Sequence, residues 1–179
     1  MIRMKLMKSF KPFLAMIILM VTLSGCGYTQ HVVLPGNIKT VSVSNFRNAI
    51  PAEQIYTYRS GLEVDLTNAV IKEFNFDGNL RVVDEDRADA KLEGAIIAYQ
   101  QETIRFNSLD RPQELRLHLV VDVKLISMKT GEVIWHEPNF SGSTLFEPSD
   151  EQGLRRISAA TDAVQDLAKN IVLRTVEDW

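Results

Sequence analysis

The sequence is poor in the residues that build covalent cross-links and many metal sites. Its 179 residues include one cysteine, Cys26, and three histidines. A lone cysteine cannot form a disulfide within the chain or a cysteine-only metal site. The histidines, His31, His118 and His136, are never three or four residues apart, so no two of them have the spacing of a metal-ligand pair. We therefore predict no metal site and no cofactor.

Motifs of catalysis and nucleotide binding are missing as well. The sequence contains no Gly-x-Ser-x-Gly nucleophile motif and no glycine-rich phosphate loop. The acidic run at residues 84–89 holds four carboxylates. It lacks the spacing and the glycine of a calcium loop, and Arg87 interrupts it, so a solvated turn is the favoured interpretation. We predict that the protein is not an enzyme.

A hydrophobic run long enough to span a bilayer as a helix is also missing. The apolar run Phe13–Leu23 has eleven residues, against about 20 for a membrane-spanning helix. Four basic residues and no acid precede it, and the small residues Ser24 and Gly25 follow it. This layout is typical of a secretory signal peptide.

The end of this leader, Leu23-Ser24-Gly25-Cys26, resembles the lipobox of bacterial lipoproteins, in which the cysteine becomes the first mature residue and carries acyl chains. The alternative is a periplasmic protein whose cleavage site happens to lie next to a cysteine. Gly27, not aspartate, follows the cysteine, and by resemblance to the enterobacterial sorting rule this favours the outer membrane over the inner one. We predict that Cys26 is lipidated and anchors the protein in the cell outer membrane.

Cleavage before Cys26 leaves 154 of the 179 residues, a length that suits one domain. The removed segment carries four basic residues and no acid, so 16 basic and 23 acidic residues remain and the net charge is −7. A domain this acidic is a poor general ligand for nucleic acid. We predict a lipoprotein signal peptide at 1–25, an acylated amino terminus and tether at 26–37, and a single domain at 38–179.

Alternation of apolar and polar residues predicts a sheet of four to five strands. The clearest alternation places an apolar residue at every second position from Leu115 to Leu125. The segment Arg47–Pro51 is predicted to be a loop. Pro138 is expected to break or bulge the last strand, or to mark a sheet edge. The predicted strands are Ile38–Ser44, Leu80–Val83, Leu92–Phe106, Leu115–Ile126 and a return strand from Val133 to about Phe146.

Apolar residues spaced three or four apart predict two amphipathic helices. The first starts near Ser60 and ends in a turn at Gly78, and the second starts with a capping signature at Ser149 and runs nearly to Trp179. The expected buried positions are Leu62, Leu66, Ala69, Val70 and Phe74 in the first helix and Ile157, Ala160, Val164, Leu167, Ala168, Ile171 and Val172 in the second. We therefore predict an α+β fold in which both helices pack on one face of a mostly antiparallel, mixed sheet. The opposite face is solvated or bound to a partner.

Five segments resemble, in order, the lipopolysaccharide-assembly lipoproteins of the LptE type. They are "CGY" at 26–28, "LPGNIKTVSVSNFRN" at 34–48, "GLEVDLTNAVIKEF" at 61–74, "LRVVDEDRADAKLEGAIIAY" at 80–99 and "VDVKLISMKTGEVIW" at 121–135. With the closing helix, the resemblance covers almost the whole mature chain, from Cys26 to about Glu177. None of these segments is a catalytic motif, so the match is one of pattern and order.

The resemblance implies two helices packed on a small mixed sheet, in agreement with the periodicity. It also implies a plug in the lumen of a large, LptD-like outer-membrane β-barrel, which the plug helps to assemble. Lipopolysaccharide would pass through this translocon to the outer leaflet, while acyl chains on Cys26 hold the plug at the membrane. Barrel lumens are polar, and the polar sheet face and acidic exterior fit such a place.

Some members of that family bind lipopolysaccharide directly through basic residues. The candidates in this chain are Arg105 and Arg111, near a strand end and loop, and Lys124 and Lys129, near a hairpin, because phosphates pair with such groups. Ordinary solvated basic residues are the alternative at each position. A second functional hypothesis is a lipid-anchored substrate-binding or auxiliary subunit of an envelope lipid transporter, which predicts an apolar ligand pocket and an inner-membrane partner.

Overall fold

The computed structural model describes residues 37–51, 60–148 and 152–176, with side chains from residue 155 onward in the last range. Over these residues the chain forms six strands, two α-helices and a short 3-10 helix at Glu85–Arg87. In chain order the strands and α-helices are β1 (Thr40–Val43), β2 (Arg47–Asn48), α1 (Leu62–Asp77), β3 (Arg81–Val82), β4 (Ala90–Phe106), β5 (Pro112–Ser127), β6 (Val133–Phe146) and α2 (Gln152–Val176).

The strands form one sheet in the order β3–β1–β4–β5–β6. β1 runs parallel to β3 and to the start of β4, and β2 pairs in parallel with β4 a few residues further along. β4, β5 and β6 are the long strands and are antiparallel to one another. The predicted fold class is therefore confirmed: the protein is an α+β domain with a mixed, mostly antiparallel sheet.

The number of strands in the described residues is six, not the four to five predicted from the sequence. The added strand is β2, which lies within the segment Arg47–Pro51 that was expected to be a loop. Two exposed polar residues cannot show a period, so no pattern marks this strand. Its neighbour β4 orders it, and Ala49 N donates to Ile96 O at 2.8 Å.

The alternation in β5 is confirmed by burial. This strand lies between β4 and β6, and every second side chain points into the core. Its register with β6 shifts between Val121 and Val123, beside Pro138, so β6 is both an edge strand and bulged, as the proline predicts. The buried residues of β5 are Leu117, Leu119, Val121, Val123 and Leu125.

α1 buries the face predicted from its spacing. Its end is set by Gly78, whose N donates to Phe74 O at 3.0 Å with φ at 77°. Glycine adopts this left-handed conformation without the steric cost that a side chain brings. Ala69 is half-buried against the core. The fully buried apolar residues of α1 are Leu62, Leu66, Val70 and Phe74.

α2 packs on β6, on β5 and on α1. It approaches the sheet closely at Gly142 of β6, where a Cβ atom would lie 2.6 Å from Leu167 N. The predicted cap at Ser149 lies outside the described residues. One predicted core position is wrong: Ile157 is 47% exposed, because the first turns of α2 lie beside Phe146, where the sheet ends. The other predicted positions are buried: Ala160, Val164, Leu167, Ala168, Ile171 and Val172.

Both helices therefore cover the same face of the sheet, and the core lies between them and β1, β4 and β5. Neither described helix has the length and apolar character needed to cross a membrane. The other face of the long strands is left without a covering helix from the described residues, so it is the main surface on which to look for function.

Candidate functional site

The open face is the surface of the sheet opposite the helices. It consists of the side chains of β4, β5 and β6 that alternate with the buried ones, and it is the polar face expected from the sequence. Its central residues are Glu93, Ala98, Gln100 and Glu102 of β4, Arg116, His118, Val120, Asp122 and Lys124 of β5, and His136, Ser141 and Ser143 of β6.

One end of the open face carries a row of alternating charges. Lys91 Nζ lies 2.8 Å from Glu85 Oε1 and 3.0 Å from Glu93 Oε1, and Lys124 Nζ lies 3.4 Å from Glu93 Oε2. Hydrogen bonds from Lys91 and then Lys124 lower the pKa of Glu93. Hydrogen bonds to Glu85 and Glu93 raise the pKa of Lys91. The four side chains therefore form a row in which each basic group lies next to a carboxylate.

Two further pairs flank an open depression of about 810 Å³. His136 Nε2 lies 2.7 Å from Asp122 Oδ1, and His118 Nε2 lies 3.9 Å from Glu102 Oε2. The lining mixes hydrogen-bonding groups with apolar surface and the depression is wide open, so it is not the enclosed apolar pocket that holds a lipid ligand. The lining residues are Ile97, Ala98, Tyr99, Gln100, Gln101, Glu102, His118, Val120, Asn139 and Ser141.

Asp89 joins three separate parts of the chain at the β5–β6 hairpin end of the sheet. Its Oδ2 accepts hydrogen bonds from Lys39 N at 3.1 Å, Thr40 N at 3.2 Å and Thr40 Oγ1 at 2.9 Å. Its Oδ1 lies 2.9 Å from Lys129 Nζ, and its backbone O accepts from Met128 N at 2.8 Å. The bonds from Lys129 and Lys39 hold the pKa of Asp89 well below its ordinary value. We call this cluster the Asp89 node.

The tip comprises the last three residues of β4 and its connection to β5, residues 104–111, at the opposite end of the sheet. It presents large apolar side chains to solvent: Phe106 is 56% exposed and Leu109 is 72% exposed. Asn107 orders the turn, because its Oδ1 accepts from Leu109 N at 2.9 Å and from Arg111 N at 3.0 Å. The apolar side chains are thus held outward beside arginines on an ordered turn.

The four residues predicted to contact lipopolysaccharide do not form one cluster. Arg105 and Arg111 lie at the tip, Lys124 on the open face and Lys129 in the β5–β6 hairpin. β5 alone has 16 residues, which span about 50 Å at ~3.3 Å per residue. The tip and the hairpin are therefore too far apart for one phosphate group to reach both. Cys26, the predicted lipidation site, lies outside the described residues.

The local surroundings of these basic residues differ as well. Lys124 and Lys129 already bind Glu93 and Asp89. Arg105 Nε, by contrast, lies 4.0 Å from Glu114 Oε2, a partly exposed contact of small value. The tip therefore offers the less committed positive charge, next to apolar side chains that the sequence reasoning did not consider. Large apolar residues in and beside the turn-rich stretch after β4 are the sequence feature that could have indicated this surface.

The described residues contain no group of three or more His, Cys, Asp or Glu side chains placed to hold a metal ion. In the acidic run at 84–89, Asp84 pairs with Arg87, Glu85 with Lys91 and Asp89 with Lys129. Basic side chains thus bind carboxylates that the sequence presents as a possible calcium cluster.

The fold and the open face together define a class: an α+β domain with helices on one sheet face and a paired, polar interaction surface on the other. The chain belongs to the LptE lipopolysaccharide-assembly family, whose model matches residues 38–175. No curated protein sequence matches the chain.

Solved structures share the fold at low sequence identity. Protein XCC0632 from Xanthomonas campestris is 13% identical, with a TM-score of 0.55 over 77% of this chain and 84% of that one. Protein CT253 from Chlamydia trachomatis is 12% identical, with a TM-score of 0.55 over 77% and 95%. A minor lipoprotein from Acinetobacter baumannii is 14% identical, with a TM-score of 0.50 over 78% and 93%. These likenesses show the fold.

Proposed function

We propose that this chain is a non-enzymatic outer-membrane lipoprotein that occupies the lumen of an LptD-like β-barrel. In this role it helps the barrel to assemble and supports delivery of lipopolysaccharide to the outer leaflet. Membership of the lipopolysaccharide-assembly family supports the process. The observation that carries the finer assignment is the open face, which is broad, polar and ion-paired and lies opposite the helices.

An ion-paired face suits contact with a polar barrel wall. Each charged group that enters a contact loses hydration, and a charge left unpaired there is costly. Lys91, Glu93 and Lys124 already neutralise one another across β4 and β5. The barrel therefore needs to supply hydrogen bonds rather than a counter-charge for every residue, and a polar lumen can supply them.

The alternative function, a substrate-binding or auxiliary subunit of an envelope lipid transporter, predicts an apolar ligand pocket. The depression on the open face is instead wide open, and polar groups such as Gln100, His118, Asn139 and Ser141 share its lining with apolar surface. A lining of this kind supports contact with a polar protein surface over storage of a lipid chain.

The proposal includes direct contact with lipopolysaccharide, and it places this contact at the tip. Lipid A combines phosphates with acyl chains, and the tip combines Arg105 and Arg111 with exposed Phe106 and Leu109. Guanidinium groups bind phosphate through paired hydrogen bonds, while the apolar side chains offer contacts to acyl chains. Lys124 and Lys129 have weaker support, because binding phosphate would compete with their carboxylate partners.

The lipid anchor is proposed at Cys26, after removal of residues 1–25 as a signal peptide and with residues 26–37 as acylated terminus and tether to a single domain at 38–179. Cys26→Ala should release the protein from the outer membrane without unfolding it, since the family match begins only at residue 38. Cell fractionation gives the location, and circular dichroism of the released protein checks the fold. A Cys26→Ala protein still found in outer-membrane fractions after a high-salt wash would contradict acylation at this residue.

Purification of the tagged full-length protein in mild detergent tests the plug role. We expect one large outer-membrane barrel to co-purify, and depletion of the lipoprotein to stop lipopolysaccharide short of the cell surface. Ser141→Arg, in the depression, should reduce recovery of the barrel, whereas Asn68→Arg, at an exposed position of α1, should not. Recovery of the wild-type lipoprotein without any barrel would contradict the proposal. Equal losses in both variants would show that the open face has no special role.

A further inference from the structure

The tip extends beyond the core of the domain. Among the described residues, β6 pairs with β5 no further than Leu115, so past this point the ribbon of β4 and β5 continues without β6. Every residue from Ile104 to Gln113 is exposed. A two-stranded ribbon on its own is at best marginally stable in water. Packing therefore contributes little to the shape of this turn, and local hydrogen bonds hold it.

Asn107 takes part in four hydrogen bonds of the turn. Its side-chain Oδ1 accepts from Leu109 N at 2.9 Å and from Arg111 N at 3.0 Å. Its backbone N donates to Arg111 O at 2.9 Å, and its backbone O accepts from Asp110 N at 3.1 Å. Asp110 has a φ of 55°, a left-handed conformation that aspartate and asparagine adopt more readily than most other residues. One side chain thus fixes the main chain at both Leu109 and Arg111.

The two residues that Asn107 holds offer different chemistry to a ligand. Leu109 presents an apolar side chain that is 72% exposed, and Arg111 presents an exposed guanidinium. An amphiphile that carries phosphates beside acyl chains engages both kinds of group at once. A flexible turn would have to be ordered each time such a ligand binds, at a cost in conformational entropy. A turn that is already ordered in the free protein avoids that cost.

We infer that Asn107 is a positioning residue for the lipopolysaccharide contact at the tip, and that it acts by holding Leu109 and Arg111 in the geometry that binds. The identity of the ligand rests on the proposed function, whereas the role of Asn107 rests on the hydrogen bonds of the turn. Asp110 shares this role, because its left-handed conformation lets the chain return to β5. When the binding-competent form of a protein becomes less populated, the apparent dissociation constant rises in proportion.

Binding of purified lipopolysaccharide to the full-length protein tests the inference. Asn107→Ala removes both bonds to the side chain and should weaken binding by about fivefold or more at an unchanged melting temperature, with faster hydrogen exchange at the amides of Leu109 and Arg111. Asn107→Ser, whose hydroxyl can accept such bonds more weakly, should lie between alanine and wild type. Thr130→Ala is the matched control and should bind as wild type does, since it removes a turn bond of the same kind, from Glu132 N at 3.3 Å, in the β5–β6 hairpin.

Asp110→Val separates the geometry of the turn from its charge. A β-branched residue at this φ is strained, so the turn should be disturbed, although loss of the negative charge alone would favour a phosphate. We expect weaker binding, and an affinity equal to that of wild type or higher overturns the inference.

The remaining outcomes distinguish this inference from the proposed function. Wild-type affinity in Asn107→Ala, or an equal loss of affinity in Thr130→Ala, overturns the positioning role and leaves the tip contact intact. Failure of Asn107→Ala to fold also overturns it, because the bonds would then support the domain and not the tip alone. If the wild-type protein binds no lipopolysaccharide, the tip contact of the proposed function and the positioning role both fail.

Discussion

Replacing Asp89 with asparagine should lower the free energy of unfolding by about 2 kcal/mol. Asparagine can still direct one oxygen at Lys39 N and Thr40 N, but it loses the negative charge. Hydrogen bonds to a charged group contribute about 1.5–3 kcal/mol, against about 0.5–1.5 kcal/mol for neutral ones. The pair with Lys129 adds less than about 1 kcal/mol, because the Lys129 side chain is 62% exposed while that of Asp89 is 22% exposed.

The same residue makes stability depend on pH with a definite sign. Hydrogen bonds from Lys129 and Lys39 lower the pKa of folded Asp89 from its ordinary value of 3.8. Above that pH the carboxylate is ionised in both states and its full contribution is present. As the pH falls below about 4, the unfolded chain takes up the proton and the folded one does not, so stability falls by up to about 1.4 kcal/mol per pH unit from this group. Asp89→Asn lacks that component.

Urea unfolding followed by circular dichroism measures both effects, at pH 7 and in steps down to pH 3, on protein that also carries Cys26→Ala. Lys129→Gln is the matched control, because it removes only the exposed half of the pair and should cost less than about 1 kcal/mol. An Asp89→Asn midpoint equal to that of wild type at pH 7 would refute the structural role of the node. Parallel stability curves for the two proteins between pH 4 and pH 3 would refute the lowered pKa.

Three further predictions concern the core, the helix–sheet contact and the tip. Leu119→Asp should unfold the domain, because it buries an unpaired charge, and a melting temperature near that of wild type would mean that the phase of β5 is wrong. Gly142→Ala should cost about 1–3 kcal/mol by overpacking, since the added carbon would lie 2.6 Å from Leu167 N; unchanged urea unfolding would show that α2 can move away freely. Arg105→Glu with Arg111→Glu should weaken binding to purified lipopolysaccharide by about tenfold or more with the melting temperature unchanged, whereas Lys129→Gln should not, and the reverse order would move the contact to the hairpin.

The parts of the fold that could be predicted from the sequence are those where burial imposes a period. β5 alternates over its core residues, and α1 and α2 repeat theirs every three or four positions. The spacing of apolar residues shows which face of a helix is buried, but it does not show how far along the helix the sheet extends. Ile157 lies on the apolar face of α2 and is exposed because the sheet ends beside it. β2 is too short to show any period, and only its pairing with β4 makes it a strand.

The candidate site was less predictable, because a sequence displays charges without their partners. In the sequence Lys124 has no evident acidic partner. In the structure Glu93, 31 residues earlier, binds it at 3.4 Å. Asp89 looks like one more acid in a solvated run, although it accepts hydrogen bonds from Thr40, which is 49 residues away. Arg105 and Arg111 were found from their place near a strand end. That they share the tip with exposed Leu109 follows only from the turn geometry.

The Asp89 node also explains why the segments that carry the family resemblance are framework segments. Three of the five segments of that resemblance, at 34–48, 80–99 and 121–135, contain Thr40, Asp89 and Lys129, and each contributes a group to this one cluster. The node fixes where β1, β4 and the β5–β6 hairpin begin relative to one another, and a one-residue slip of a strand would exchange its core and open-face side chains. A match centred on such residues is therefore evidence for a shared arrangement of strands, and it is weaker evidence for any particular binding contact. The tip lies outside those three segments, at the far end of β4. Variants of Arg105 can therefore separate binding from folding, whereas variants of the node change both.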